Sequence, residues 1–133
     1  MKLTENFTLE EFLRSDTAER MVINNAMPSE TVLGNVKRLA NYLQRVRNCY
    51  GNPISISSGF RCKELNAAVG GAKNSQHVSG EAADITTGSR TENRKLFEVI
   101  RKIGGFDQLI DEADYSWIHV SYRAGRLRGE VLR

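Results

Sequence analysis

The sequence predicts an α+β fold, and three features of it carry that prediction. A long apolar stripe at helical spacing occupies the first half of the chain, and a short alternating run follows at residues 54–58. Near the end, two strand-like runs are separated by four residues, as in a hairpin. Helices gathered early and mostly antiparallel strands later describe a small sheet with helices packed on one side. At 133 residues the chain is expected to be a single domain, residues 1–133, with a core that needs no staples.

The elements follow in order. Thr8-Leu-Glu-Glu11 has the form of a capping box and starts a short helix with Leu9, Phe12 and Leu13 on one face. Residues 14–25 are less regular, and Met27-Pro28 marks a break. Ser29 then caps the longest helix, whose stripe of Val32, Val36, Leu39, Leu43 and Val46 keeps intervals of three and four. Gly51 and Pro53 stop it. Ile54–Ser58 alternates as a strand does, and Cys62–Val69 has room for one or two helical turns that pack Leu65 and Val69. Gly70-Gly71 opens a loop, and the small residues of Ala82–Ile85 suit a tightly packed strand. Gly88 and Ser89 turn the chain, and Thr91 is expected to cap a second long helix with Leu96, Phe97, Ile100 and Ile103 inward, ended by Gly104-Gly105. The hairpin strands are Asp107–Glu112 and Trp117–Tyr122.

Composition excludes several classes. With 40% hydrophobic and 26% charged residues, the chain is neither disordered nor fibrous. No stretch approaches the roughly 20 apolar residues of a membrane span, and the opening lacks the apolar core of a secretory signal. The expectation is a protein made in the cytoplasm, not inserted in a membrane, and monomeric. Net charge is +3, with scattered basic residues. The Arg123–Arg133 run reads as a solvated tail or as a face for anions, but it lacks the aromatic context of nucleic-acid binding. The loop Gly70–Ser75 lacks the spacing of a phosphate loop. Cys49 and Cys62 do not have the spacing of a cysteine metal site and are expected to be buried, structural thiols.

The chemistry concentrates in two segments. Ser75–Ile85 and Trp117–Tyr122 hold both histidines, His77 and His119, together with Asp84. Two imidazoles and a carboxylate suffice for a zinc ion that keeps a position open to water. A carboxylate on a buried strand is costly unless paired or ligated. The residue types alone also allow ordinary hydrogen-bonded histidines with Asp84 capping a turn. If Glu112 faces Trp117 across the hairpin, Ile110 faces His119, and Glu112, His119 and Ser121 project from one side. Glu112 then lies diagonal to His119, roughly 7–8 Å away, in reach of a water held at a metal. A slip of one residue would turn it away.

The run S-G-F-R-C-x-x-L-N-x-x-V-G-G-x-x-x-S-Q-H-x-x-G-x-A-A-D-I, Ser58 to Ile85, resembles the signature of the M15 zinc peptidases. D-Q-L-I-x-E at Asp107–Glu112, W-I-H-V-S-Y at Trp117–Tyr122 and the opening NFTLEEF extend the resemblance. That family comprises D-alanyl-D-alanine carboxypeptidases, D-Ala-D-Ala dipeptidases and phage L-alanyl-D-glutamate endolysins. The resemblance is to its compact single-domain branch, with a hedgehog/DD-peptidase-like fold.

The resemblance implies Zn2+ held by His77, Asp84 and His119, with Arg61 on the substrate carboxylate or oxyanion and Ser75 bordering the substrate. It implies a peptidoglycan stem peptide as partner, met once the protein is released to the wall. It also implies a zinc-acidified water and a carboxylate that takes its proton. Many members carry that catalyst three or four residues before the last ligand, where this chain has Ser116 and Tyr115. Glu112 is the first choice for the base and Asp114 the second. The departure keeps an alternative open, a non-catalytic zinc-containing wall-binding module.

Overall fold

The computed structural model describes residues 1–133. Its elements run α1 (Leu9–Leu13), α2 (Asp16–Met21), α3 (Glu30–Tyr50), β1 (Ser55–Ser58), α4 (Lys63–Ala68), β2 (Ala82–Thr86), α5 (Arg90–Ile103), β3 (Gln108–Glu112), β4 (Trp117–Ser121) and β5 (Glu130–Leu132). The five strands form one sheet in the order β1-β2-β4-β3-β5, antiparallel except for the parallel pair β3 and β5. This is the expected α+β arrangement with a mostly antiparallel sheet. No helix is long and apolar enough to cross a membrane.

The alternation of side chains along each strand divides the sheet into two faces. On one, Ile56, Ala83, Ile85, Leu109, Ile118 and Val120 are buried with Val36, Leu39, Leu43 and Val46 of α3 and Leu96, Phe97 and Ile100 of α5. Phe7 and Phe12 close the same core. A satellite cluster of Ala18, Ile23 and Leu65 packs α2 against α4. Leu65 is buried as expected, but Val69 is exposed.

Local chemistry fixes the helix ends. The Thr8 hydroxyl accepts from the Glu11 amide while the Glu11 side chain accepts from the Thr8 amide, so the capping box is formed. Ser29 caps α3, and Gly51 ends it at φ 85°. The cap of α5 is Ser89 and not Thr91. Ser89 has the extended backbone that an N-cap needs and accepts from the Glu92 amide at 3.1 Å, so Thr91 already lies in the first turn. Ser89→Ala is therefore expected to cost about 1 kcal/mol in urea unfolding. Thr91→Ala, which removes no cap, should stay within about 0.5 kcal/mol of the parent.

Two other expectations are corrected. Cys49 is exposed and Cys62 half-buried, and both are free thiols. The apolar stripe of α3 passes into its last turn through Tyr50, which packs on the core, and not through Cys49. The Cys62 sulfur instead caps α4, accepting from the Leu65 amide at 3.4 Å. The Arg123–Arg133 run is no free tail. It returns to the sheet as β5, whose Glu130, Val131 and Leu132 pair with Gln108, Leu109 and Ile110.

Candidate metal centre

The sheet face opposite the main core carries the site. Asp84 on β2 stands directly across from His119 on β4, so their side chains leave the same face side by side. The expected hairpin register is the one formed: Ile110 faces His119 and Glu112 faces Trp117. His77 arrives from the turns between α4 and β2. The chain reverses there at Gly80 (φ 74°), where a Cβ would come within 2.8 Å of Val36.

These three side chains, far apart in sequence, converge. Asp84 Oδ1 is 3.4 Å from His77 Nε2 and 3.1 Å from His119 Nδ1. One ligand atom from each residue falls within 4.8 Å of the others, so the group can hold a metal ion. Two donors each about 2.1 Å from a tetrahedral ion lie about 3.4 Å apart, close to the 3.4 and 3.1 Å between Asp84 and the two histidines. The donor set therefore fits zinc.

The surroundings favour ligation as well. His77 Nδ1 lies 2.7 Å from the Gly59 carbonyl oxygen. A proton on Nδ1 satisfies that carbonyl and leaves Nε2, on the Asp84 side, as the ring nitrogen available to an ion. Burial would push the Asp84 carboxyl up, but hydrogen bonds from His119 and His77 outweigh it and hold the group well below the usual carboxylate range. Asp84 is thus an anion at neutral pH even though it is nearly buried.

Around this centre lies a cleft of about 530 Å³. Arg61, Ser75, Glu112 and Trp117 all line it, as do the three central residues. Arg61 is braced from several directions: Nε donates to Ser58 Oγ at 3.1 Å, Nη1 to Asn66 Oδ1 at 3.1 Å and Nη2 to Asp84 Oδ2 at 3.5 Å. Its backbone amide also donates to the His77 carbonyl at 3.1 Å, tying the arginine to the histidine. The Ser75 hydroxyl accepts from the His77 amide at 3.2 Å and so steadies the loop as well as bordering the cleft. Glu112 is half-buried and takes part in none of the ion pairs of the chain.

Asp114 stands apart. It is exposed, at the middle of three consecutive left-handed residues, Ala113, Asp114 and Tyr115, and does not line the cleft. Tyr115 turns away to stack edge-on against Phe97, and Asn93 caps the loop by donating to the carbonyls of Tyr115 and Ser116.

Sequence reasoning missed several residues of the wall. Asn66 is buried and orients Arg61. It needs Gly71 beside it, since a Cβ there would come within 2.1 Å of Asn66 Oδ1. Arg126 and Arg128 line the cleft from the segment leading into β5, held by the buried Asp107. The signal for Asn66 was its place in the S-G-F-R-C-x-x-L-N run. For the two arginines it was the cluster of like charge at the chain's end.

A family model described as peptidase M15 matches residues 5–121. The chain belongs to the peptidase M15 family. Among curated relatives of this M15 protein is the zinc D-Ala-D-Ala carboxypeptidase of Streptomyces albus G, 47% identical over 49 residues. Those residues are 36% of this chain and 19% of the relative. The M15 chain thus covers about a fifth of that relative's length.

Proposed function

We propose that the chain is a zinc-dependent peptidase that hydrolyses short D-amino-acid-containing peptides of bacterial peptidoglycan. The observation that carries this reading is the His77, Asp84 and His119 cluster, whose donor spacing suits zinc, at the floor of an open cleft. Family membership and the printed activity of the Streptomyces relative support the same chemistry.

In this reading His77 Nε2, Asp84 Oδ1 and His119 Nδ1 hold the ion. A zinc ion bound there supplies an electrophile that polarises a carbonyl and acidifies water. Arg61, its guanidinium fixed by Ser58 and Asn66, binds the substrate's carboxylate or steadies the developing oxyanion. Ser75 borders the bound peptide. The Glu112 carboxylate accepts a proton from the attacking water and returns it to the leaving amine nitrogen. One water is consumed, its hydroxyl going to the carbonyl carbon and its second hydrogen to the amine.

Digestion of purified peptidoglycan, with mass analysis of the fragments, tests this directly. Cleavage should stop on chelation and return with zinc. Release of single D-alanine residues identifies an exopeptidase, and larger paired fragments an endopeptidase. Stoichiometric zinc with no cleavage in any preparation would overturn the reading in favour of a binding module.

A further inference from the structure

The charge that the Arg123–Arg133 segment brings to the cleft is not used by the chemistry above. Arg126 and Arg128 both reach Asp107, whose side chain is fully buried. One carboxylate balances one guanidinium, so a surplus positive charge remains. Arg128 takes Asp107 at two points, Nε at 2.6 Å from Oδ1 and Nη2 at 3.1 Å from Oδ2. Arg126 keeps a single contact at 3.4 Å, and its side chain is 46% exposed. It lines both the cleft over the three-residue centre and an adjoining basin that contains Lys73 and Arg123.

Arg61 does not duplicate it. Arg61 is bonded to Asp84 on β2, whereas Asp107 leads into β3, with β4 between them. Two strand spacings, about 10 Å, separate the strands that carry these anchoring acids, so the two guanidiniums are held from different parts of the sheet.

We propose that Arg126 binds a second carboxylate of the peptide substrate, distinct from the group that meets Arg61. The inference rests on the peptidase reading and narrows its substrate to peptides with an internal free carboxylate. A guanidinium steadied from behind by a buried acid, with most donors uncommitted, recognises an anion and discriminates against its uncharged amide. The wall pentapeptide L-alanyl-γ-D-glutamyl-L-lysyl-D-alanyl-D-alanine carries such a group, because γ-linkage leaves the glutamate α-carboxylate free.

The zinc-loaded chain is tested with this pentapeptide and with its α-amide, by two readouts. One is kcat/KM; the other is Kd from stopped-flow fluorescence of Trp117, the sole tryptophan, which lines the cleft and reports binding before turnover. The carboxylate form should be favoured at least tenfold in both. Arg126→Gln should reduce both ratios below threefold, and Arg126→Lys should keep an intermediate ratio, with the circular dichroism of both variants unchanged. Equal handling of the two peptides by the parent, or a full ratio in Arg126→Gln, overturns the proposal. A Kd ratio that depends on Arg126 in a chain that cleaves neither peptide would uphold this site and overturn the peptidase reading.

Discussion

Glu112→Gln is expected to bind zinc as the parent does and to lose at least about 100-fold in kcat. The substitution keeps the shape of the side chain and removes only its ability to take a proton. Glu112 faces Trp117 across the hairpin, on the strand face that carries His119, and the facing pair Ile110–His119 fixes it diagonal to the histidine. Its carboxylate enters the cleft without a partner among the arginines that line the same space. A base needs this access: in reach of the reacting water and not already committed to an ion pair. Elemental analysis of metal content, steady-state kinetics and thermal unfolding of the one variant separate loss of metal, loss of proton transfer and loss of fold. Turnover within tenfold of the parent would remove Glu112 from the reaction. Asp114→Asn, at an exposed loop position outside the cleft, is expected to stay near the parent rate.

How this site could be read from the sequence depends on the separation of its parts. The helices α1, α3, α4 and α5 were legible because their determinants are local, whereas α2, capped by Ser15, lies in a stretch read only as irregular. The stripe of α3, the capping box at Thr8 and Glu11, and Gly51 all act within a few residues. The error at α5 was also local: Ser89 and Thr91 are both good capping residues, and only the backbone angles decide between them. The hairpin register was legible because a four-residue loop leaves few pairings that keep Ile118 and Val120 in the core. The convergence of His77 with Asp84 and His119 was different. Nothing in their spacing dictates it, since it depends on the reversal at Gly80 and on β2 pairing with β4 over some 35 positions. The family resemblance, not periodicity, supplied that expectation.

The C-terminal segment shows what stays hidden. Its arginines have the composition of a solvated run, and Glu130–Leu132 is too short to announce a strand. Its partner is Asp107, some 20 positions earlier, an acid that looks ordinary in sequence. Long-range ion pairing turned an apparent tail into a wall of the cleft. The same contact makes Asp107 the residue whose loss should matter most to stability on this side of the molecule.

Asp107→Ala is expected to destabilise the fold by about 2–3 kcal/mol. Removing one partner of a buried ion pair costs about 3–5 kcal/mol. The lower figure applies because Arg126 and Arg128 are 46% and 40% exposed and can rehydrate. The carboxylate also accepts from Gln76 Nε2 at 2.9 Å, beside His77 in the chain, so the change reaches the metal-side loop. Hydrogen bonds from Arg128, outweighing burial and joined by Gln76, hold the Asp107 carboxyl well below its ordinary range. A carboxyl depressed in the folded state is protonated more readily in the unfolded chain. Its contribution to stability is therefore complete above the unfolded value near pH 4 and declines as pH falls toward the folded one. The gap between the parent and Asp107→Asn should thus be widest at neutral pH and shrink below about pH 4. Urea unfolding at a series of pH values measures that gap, and hydrogen exchange should show the Glu130–Leu132 amides losing protection in the variant at pH 7. A gap that does not change with pH, together with full protection of those amides, would mean that the buried acid is not what holds the C-terminal strand to the sheet.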